Sequence, residues 1–260
     1  MKIVKVSKSG LFYKVKFDDE NVYKFHESVI VKYGFIRKNI YVSDEVLKEA
    51  LKDNEYFLAL DKGIKYLMVP KSKYDVKNYL NKHYEKEVVS NVLDKLEELK
   101  LINELEYAIF SVNLMKKKGF GKFKITYLLK EEKISDEYIE KALLDYLSDE
   151  ELLNCEKQFN KYLPSLKKES KNNLIKKVYN YLYQKGFSNE TITIVVENNL
   201  EMVDNIVDED KNLKNAFHKL LKSKTKINDE KKFKNKVIRS LTSKGFPLNK
   251  ILKLLEGDYD

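Results

Sequence analysis

At 260 residues, with 43% hydrophobic and 35% charged side chains, the chain has ample material for a core, which excludes wholesale disorder. Its single cysteine, Cys155, excludes an internal disulfide framework, and no apolar run of about 18 residues offers a membrane span. The 50 Lys plus Arg outnumber the 41 Asp plus Glu, a formal +9 that favours a polyanionic partner, nucleic acid above all.

Nearly all of that basic charge is lysine, because Arg37 and Arg239 are the only arginines. Lysine is a hydrated point charge and reads base edges less well than a planar guanidinium. The amino terminus, MKIVKVSKSG, lacks the long apolar stretch of a secretory signal, so the expected location is the cytoplasm.

The first 25 residues alternate. Leu11, Tyr13, Val15 and Phe17 interleave with Phe12, Lys14 and Lys16, a period of two that marks a half-buried strand. Ile3–Val6 precede it across Lys8-Ser9-Gly10, and Val22–Phe25 follow across Asp18–Asn21, both connectors with turn chemistry. The expectation is a three-stranded antiparallel meander packed on a helix over His26–Tyr33, stopped by Gly34.

From Ser43 the periodicity becomes helical. Ser43 suits an N-cap for Asp44–Lys52, a second helix is expected over Glu55–Met68 before Pro70, and Ser72 to Asp75 has capping-box spacing. Later units each show three helices. In the second these span about Asn103–Lys118, Gly121–Glu132 and Asp136–Leu147. Leu105, Ala108, Ile109, Val112 and Met115 line one face of the first, and Tyr138, Ile139, Ala142, Leu143 and Tyr146 one face of the third.

The third unit opens near Asp149, with Ser148 and Glu151 at capping-box spacing, and continues through Leu174–Gln184 and Asn189–Asn199. The fourth begins near Asp210 and closes with Leu248, Ile251, Leu252 and Leu255. Glu201–Asp210 and Lys222–Lys226 read as solvated connectors, and Gly257–Asp260 as a frayed end.

Three of these stretches are near-copies: 125–144, 178–197 and 237–256, with a fainter fourth at 76–96. Leu129, Leu182 and Leu241 stand 53 and 59 residues apart, and Tyr84 and Ile134, each ending the first helix of its copy, stand 50 apart. A period near fifty residues marks stacked supersecondary units that bury one another's apolar faces. The expected fold is therefore mainly α: an elongated tandem array of three-helix, helix-turn-helix-like repeats with a small N-terminal antiparallel β meander. The expected boundaries are 1–42 for the β-rich segment and 43–101, 102–148, 149–200 and 201–260 for the repeats. Arrays of this kind usually present surface to a macromolecule.

Lys-Gly-Phe recurs at 118–120, 185–187 and 244–246; glycine fits a left-handed helix end there, and phenylalanine an inter-helix core. Gly119-Phe120-Gly121 follows a helix, not a strand, and no GxxxxGK[ST] occurs, so no nucleotide loop is expected. His26, His83 and His218 share no metal-ligand spacing, and Cys155, with Leu152, Leu153 and Phe159 at helical distances, reads as a buried structural thiol. No catalytic constellation, metal or cofactor is expected, and a cryptic hydrolase is disfavoured.

Lysine clusters are the candidate binding residues. Lys116, Lys117, Lys118, Lys122 and Lys124 crowd one junction; Lys167, Lys168, Lys171, Lys176 and Lys177 hold a comparable place in the third unit. Lys231, Lys232, Lys234, Lys236 and Arg239 do so in the fourth. Each cluster could be a merely solvated face; superposed, they would form a basic stripe suited to phosphates or an acidic protein groove.

Several segments together resemble RecX, the regulator of the RecA recombinase, in its longer form from low-GC Gram-positive bacteria. They are DDENVYKFHESVIVKYGF, ALDKGIKYLMVPKSKYDVKNYL, NVLDKLEELKLINELEYAIFSV and KKKGFGKFKITYLLKEEKIS. Lysines stand where arginine is usual in the basic segment, and Asn103-Glu104 replaces an acidic pair. The resemblance implies a non-enzyme, a monomer lying in the groove of a RecA–single-stranded-DNA filament. There it would impede filament growth, ATP hydrolysis, strand exchange and repressor autocleavage. The competing reading is a stand-alone DNA-binding protein built of helix-turn-helix-like repeats.

Overall fold

The computed structural model describes residues 1–10, 12–221 and 230–257. Leu11 of the alternating strand, the Lys222–Lys226 connector and Asp258–Asp260 of the expected frayed end lie outside the described residues. The chain is mainly α-helical, with one three-stranded antiparallel sheet at its start, and divides into two compact units: 1–110 with 131–138, and 111–130 with 139–260. No helix among the described residues is long and apolar enough to cross a membrane.

In the first unit, β1 (Ile3–Ser9), β2 (Phe12–Phe17) and β3 (Val22–His26) pair in sequence order, with Val6 opposite Val15 and Val15 opposite Tyr23. The start of the free edge of β1 is covered by residues 39–42. Ile3 N donates to Ile40 O (3.0 Å), Asn39 N to Ile3 O (2.9 Å), and Val42 N to Met1 O (2.8 Å), which ties that segment back to the first residues of the sheet. Val15, Phe17 and Phe25 point into a core closed by α1 (Glu27–Tyr33), whose end is Gly34 at φ 68°, as expected.

Two helices were expected between residues 44 and 68; the structure has one, α2 (Asp44–Tyr66). Asp53 and Asn54, the anticipated break, turn inward instead. Asn54 accepts from His26 N (2.7 Å) and donates to Lys24 O (3.2 Å), while Asp53 accepts from the Tyr33 hydroxyl (2.8 Å). Polar side chains that would otherwise compete with the helix backbone are thus engaged by β3 and α1. The second half of α2 packs with α3 (Lys73–Leu80) and α4 (Lys86–Glu98) around Ala59, Val76, Leu80, Val92 and Leu96. Ser72 Oγ accepts from Asp75 N (3.1 Å), the capping bond expected there.

The helices α5 (Glu104–Lys117), α6 (Lys122–Glu131) and α7 (Asp136–Leu143) follow; the last stops four residues short of its expected end. Tyr84 and Ile134, expected to end helices, sit in the turns just beyond α3 and α6. Then come α8 (Ser148–Tyr162), a 3-10 turn (Leu163–Leu166), α9 (Lys171–Gln184), α10 (Asn189–Asn198) and α11 (Leu200–Ile206). The chain closes with α12 (Glu209–Leu221), α13 (Glu230–Ser243) and α14 (Leu248–Glu256). Residues 201–210, expected as a solvated connector, are instead mostly helical: α11 buries Val203, and Asp204 pairs with Lys171.

Within the second unit the Lys-Gly-Phe turns organise the packing. At each, the phenylalanine N–H closes a bond to the carbonyl five residues back: Phe120 to Met115, Phe187 to Leu182 and Phe246 to Leu241. The turn after α9 docks on the start of α6, where Gly121 N donates to Lys185 O (2.9 Å) and Phe123 N to Gly186 O (3.1 Å). Lys122 N is taken by the Glu151 carboxylate (2.9 Å). Three N–H groups that a helix start normally leaves open are satisfied by its neighbour.

That engagement of Glu151 overturns the capping box expected at Ser148: the N-cap of α8 is Leu147, without a side-chain bond, because Glu151 reaches across to α6. The approach is so close that a Cβ on Gly186 (φ 88°) would lie 2.2 Å from Lys124 N. The same joint recurs one repeat later. Ser170 Oγ donates to Lys244 O (2.5 Å), Asn172 Nδ2 to Gly245 O (3.1 Å), and Lys171 N to Glu209 Oε1 (3.3 Å).

A lysine-lined cleft as candidate polyanion site

The second joint opens into a cavity of about 1040 Å³. Its position follows from local structure. Leu163 and Leu166 bury in the core around Phe159 and Leu174, which turns Lys167 and Lys168 outward. Asn212 of α12 then pins the strand of chain behind them, donating to Lys167 O (2.8 Å) and Glu169 O (3.0 Å). Phe246 closes the floor.

Six lysines line the cleft, Lys167, Lys168, Lys177, Lys211, Lys219 and Lys244, with His218 beside them and only Glu169 and Asp208 opposing. Both carboxylates are engaged. Glu169 accepts from Lys177 Nζ (2.6 Å) and Asn173 Nδ2 (2.5 Å); the bond from Lys177, then that from Asn173, holds its carboxyl below the usual carboxylate range against the effect of burial. Asp208 accepts from Lys211 N (3.0 Å) at the start of α12. Among the described residues no carboxylate stands within ion-pair distance of Lys167, Lys168, Lys211, Lys219 or Lys244. Five such ammonium groups facing one concavity create a field that favours extended negative charge.

The sequence-derived basic residues divide on inspection. Lys116 is a framework residue: its side chain is 10% exposed, pairs with Glu150 (2.6 Å), donates to Asp145 O (3.1 Å) and lies over the Tyr146 ring. Lys122 pairs with Glu151 (3.8 Å) and Lys171 with Asp204. Lys117 and Lys118 are exposed at the end of α5, Lys176 on α9, and Lys231, Lys232, Lys234, Lys236 and Arg239 on α13. Lys124 sits 5.1 Å from the Tyr127 ring centre. Only Lys167, Lys168 and Lys177 enter the cleft.

Lys211, Lys219 and Lys244 were not singled out from the sequence. A signal was present in Glu151-x-x-Asn154 and Glu209-x-x-Asn212, the two joint-forming motifs. Asn154 Nδ2 donates to Lys116 O (3.4 Å) as Asn212 does to Lys167 O. Elsewhere, Cys155 is fully buried and burial pushes its thiol up to about 12, in keeping with a structural thiol. His26 caps α1, meets Asp61 (3.1 Å) and stacks on Phe57. Among the described residues no cluster of three His, Cys, Asp or Glu is placed to hold a metal ion.

The family description "RecX, third three-helix domain" matches residues 149–196, which contain α8, α9 and most of α10. A regulatory protein RecX of Leuconostoc mesenteroides is 28% identical, covering 100% of this chain and 99% of the relative. Another, from Enterococcus faecalis, is 28% identical over 97% and 96% of the two chains. The chain is similar to regulatory protein RecX along essentially its whole length. A crystal structure of regulatory protein RecX shares the fold, with a TM-score of 0.64 and 21% identity over 75% of this chain and 98% of that one. Within the RecX-matched segment lie Lys167, Lys168 and Lys177, one wall of the cleft; α12 and the 244–246 turn supply the other. The names of these RecX relatives describe regulation and specify no reaction.

Proposed function

We propose that this protein regulates homologous recombination and the SOS response by binding in the groove of RecA–single-stranded-DNA filaments. There it inhibits filament extension, ATP hydrolysis, strand exchange and coprotease activity. The observation that carries the reading is similarity to regulatory protein RecX along essentially the whole chain. The cleft supports it, because unpaired lysines suit a phosphate backbone or an acidic protein surface without demanding exact geometry.

In this reading the repeats at 43–101, 102–148, 149–200 and 201–260 act as successive modules of a cytoplasmic monomer. A filament repeats its own surface, so several weak contacts add through effective concentration. No cofactor is required, and no residue is assigned a catalytic role.

The test mixes the protein with RecA, single-stranded DNA and ATP and follows phosphate release. Turnover should slow as the protein is added, and no change at saturating protein would refute the proposal. The excess of basic charge favours a second reading, a DNA-binding protein acting alone. Tight binding to naked DNA with no added affinity for a preformed filament would select it.

A further inference from the structure

A second depression, of about 730 Å³, is lined by three exposed aromatic rings: Phe123 and Tyr127 of α6 and Tyr183 of α9. Their exposures are 66%, 56% and 61%, values at odds with a core role. Phe123 and Tyr127 stand four residues apart, on one face of the helix. Tyr183 comes from the last turn of α9, which the Lys185–Phe187 turn fastens to α6 through Gly121 N and Phe123 N. The rings are therefore held by a closed joint and belong to no loop. Lys124, 5.1 Å from the Tyr127 ring centre, adds positive charge; Gln184 and Asn189 add hydrogen-bonding groups, and Glu190 is the one carboxylate in the lining.

We infer that the Phe123–Tyr127–Tyr183 face is a stacking platform for unpaired bases of single-stranded nucleic acid, with Lys124 against the adjacent phosphate. Aromatic faces beside a lysine, on a chain of net +9, are what sequence-tolerant single-strand binding uses: every base has a π-face, and the backbone is held by charge. A buried apolar helix of a partner would need a wider apolar surround than Lys124, Gln184, Asn189 and Glu190 provide. The site lies apart from the lysine cleft and shares no lining residue with it. The inference deepens the proposed function by assigning a place to the single strand, yet its test contains no recombinase, so the two can fail separately.

The test uses the full chain and two labelled 20-nucleotide strands, oligothymidylate and the same strand with abasic sites throughout its middle. The native protein should bind oligothymidylate roughly tenfold or more tighter than the abasic strand. Replacing all three rings (Phe123→Leu, Tyr127→Leu, Tyr183→Leu) keeps the surface apolar but removes the π-faces. The variant should lose that difference while keeping the abasic affinity and the salt dependence. Circular dichroism establishes that the variant folds. Equal binding of the two strands by native protein overturns the inference without any variant. So does a leucine variant that still prefers bases, the result an apolar peptide site would give.

Discussion

Removing charge from the cleft should change how binding responds to salt, not merely how tight it is. Each phosphate neutralised on a single strand contributes about −0.7 to the slope of log K against log salt. If the five cleft lysines lacking ion pairs each meet one phosphate, the slope is about −3.5, a loss of roughly a hundredfold between 50 and 200 mM salt. The triple change Lys167→Gln, Lys168→Gln, Lys244→Gln leaves two, for a slope near −1.4 and a loss of only about sevenfold. Fluorescence anisotropy of a labelled oligonucleotide, titrated at four salt concentrations, measures both. Lys116→Gln is the control. That ammonium is already held by Glu150 and Asp145 O, so its removal should leave the slope near −3.5 and lower stability instead. An unchanged slope in the triple variant, or an equal fall in the control, would refute the assignment of binding to the cleft.

Gly186→Ala should destabilise the second unit by about 3 kcal/mol, adding left-handed strain to a collision with Lys124 N, whereas Gly257→Ala, with open space at φ 93°, should cost only about 1–2 kcal/mol. Chemical denaturation followed by circular dichroism compares them, and equal losses would mean the joint is looser than described. The Cys155 thiol, raised to about 12 by burial, should resist a thiol reagent at pH 8 in the native protein and react once unfolded. Fast native labelling would contradict its burial. Because the folded-state pKa of Glu169 is lowered, the stability it contributes is present above its unfolded value, near 4.3, and lost as pH falls through the lower folded value. The difference in denaturation midpoint between native protein and Glu169→Gln should therefore shrink on acidification in that range. A difference independent of pH would remove the ion pair with Lys177 from the account.

What the sequence disclosed was periodic. Alternation at Tyr13, Val15 and Phe17 placed β2, Gly34 ended α1, and Ser43 and Ser72 capped helices because a serine oxygen three residues from an N–H has few other uses. What it hid was long-range. Asn54 and Glu151 look locally like a helix break and a capping residue, but each bonds to an element about 29 residues away, and nothing in a window of ten residues records that partner. The lysines of the cleft were hidden for the same reason: Lys167 and Lys244 are 77 positions apart and meet only because one Lys-Gly-Phe turn docks on Ser170.

The lysine clusters become intelligible once that joint is understood. Lys73, Lys122 and Lys171 each open the second helix of their three-helix group and stand 49 residues apart. Lys122 and Lys171 each meet an acid at the start of the next group's first helix. Glu151 and Glu209 take the backbone N–H groups of Lys122 and Lys171. In the first unit the Lys73 ammonium pairs instead with Glu97 of α4 (2.8 Å), and its charge opposes the burial that pushes the Glu104 carboxyl up. A lysine in that register is thus paired with an acid and committed to the fold's own packing. Lys167, Lys168, Lys211, Lys219 and Lys244 are off that register, lie where the last joint opens to solvent, and among the described residues have no acid within ion-pair distance. Charge that the fold has not already spent on its own assembly is the charge left to hold a partner.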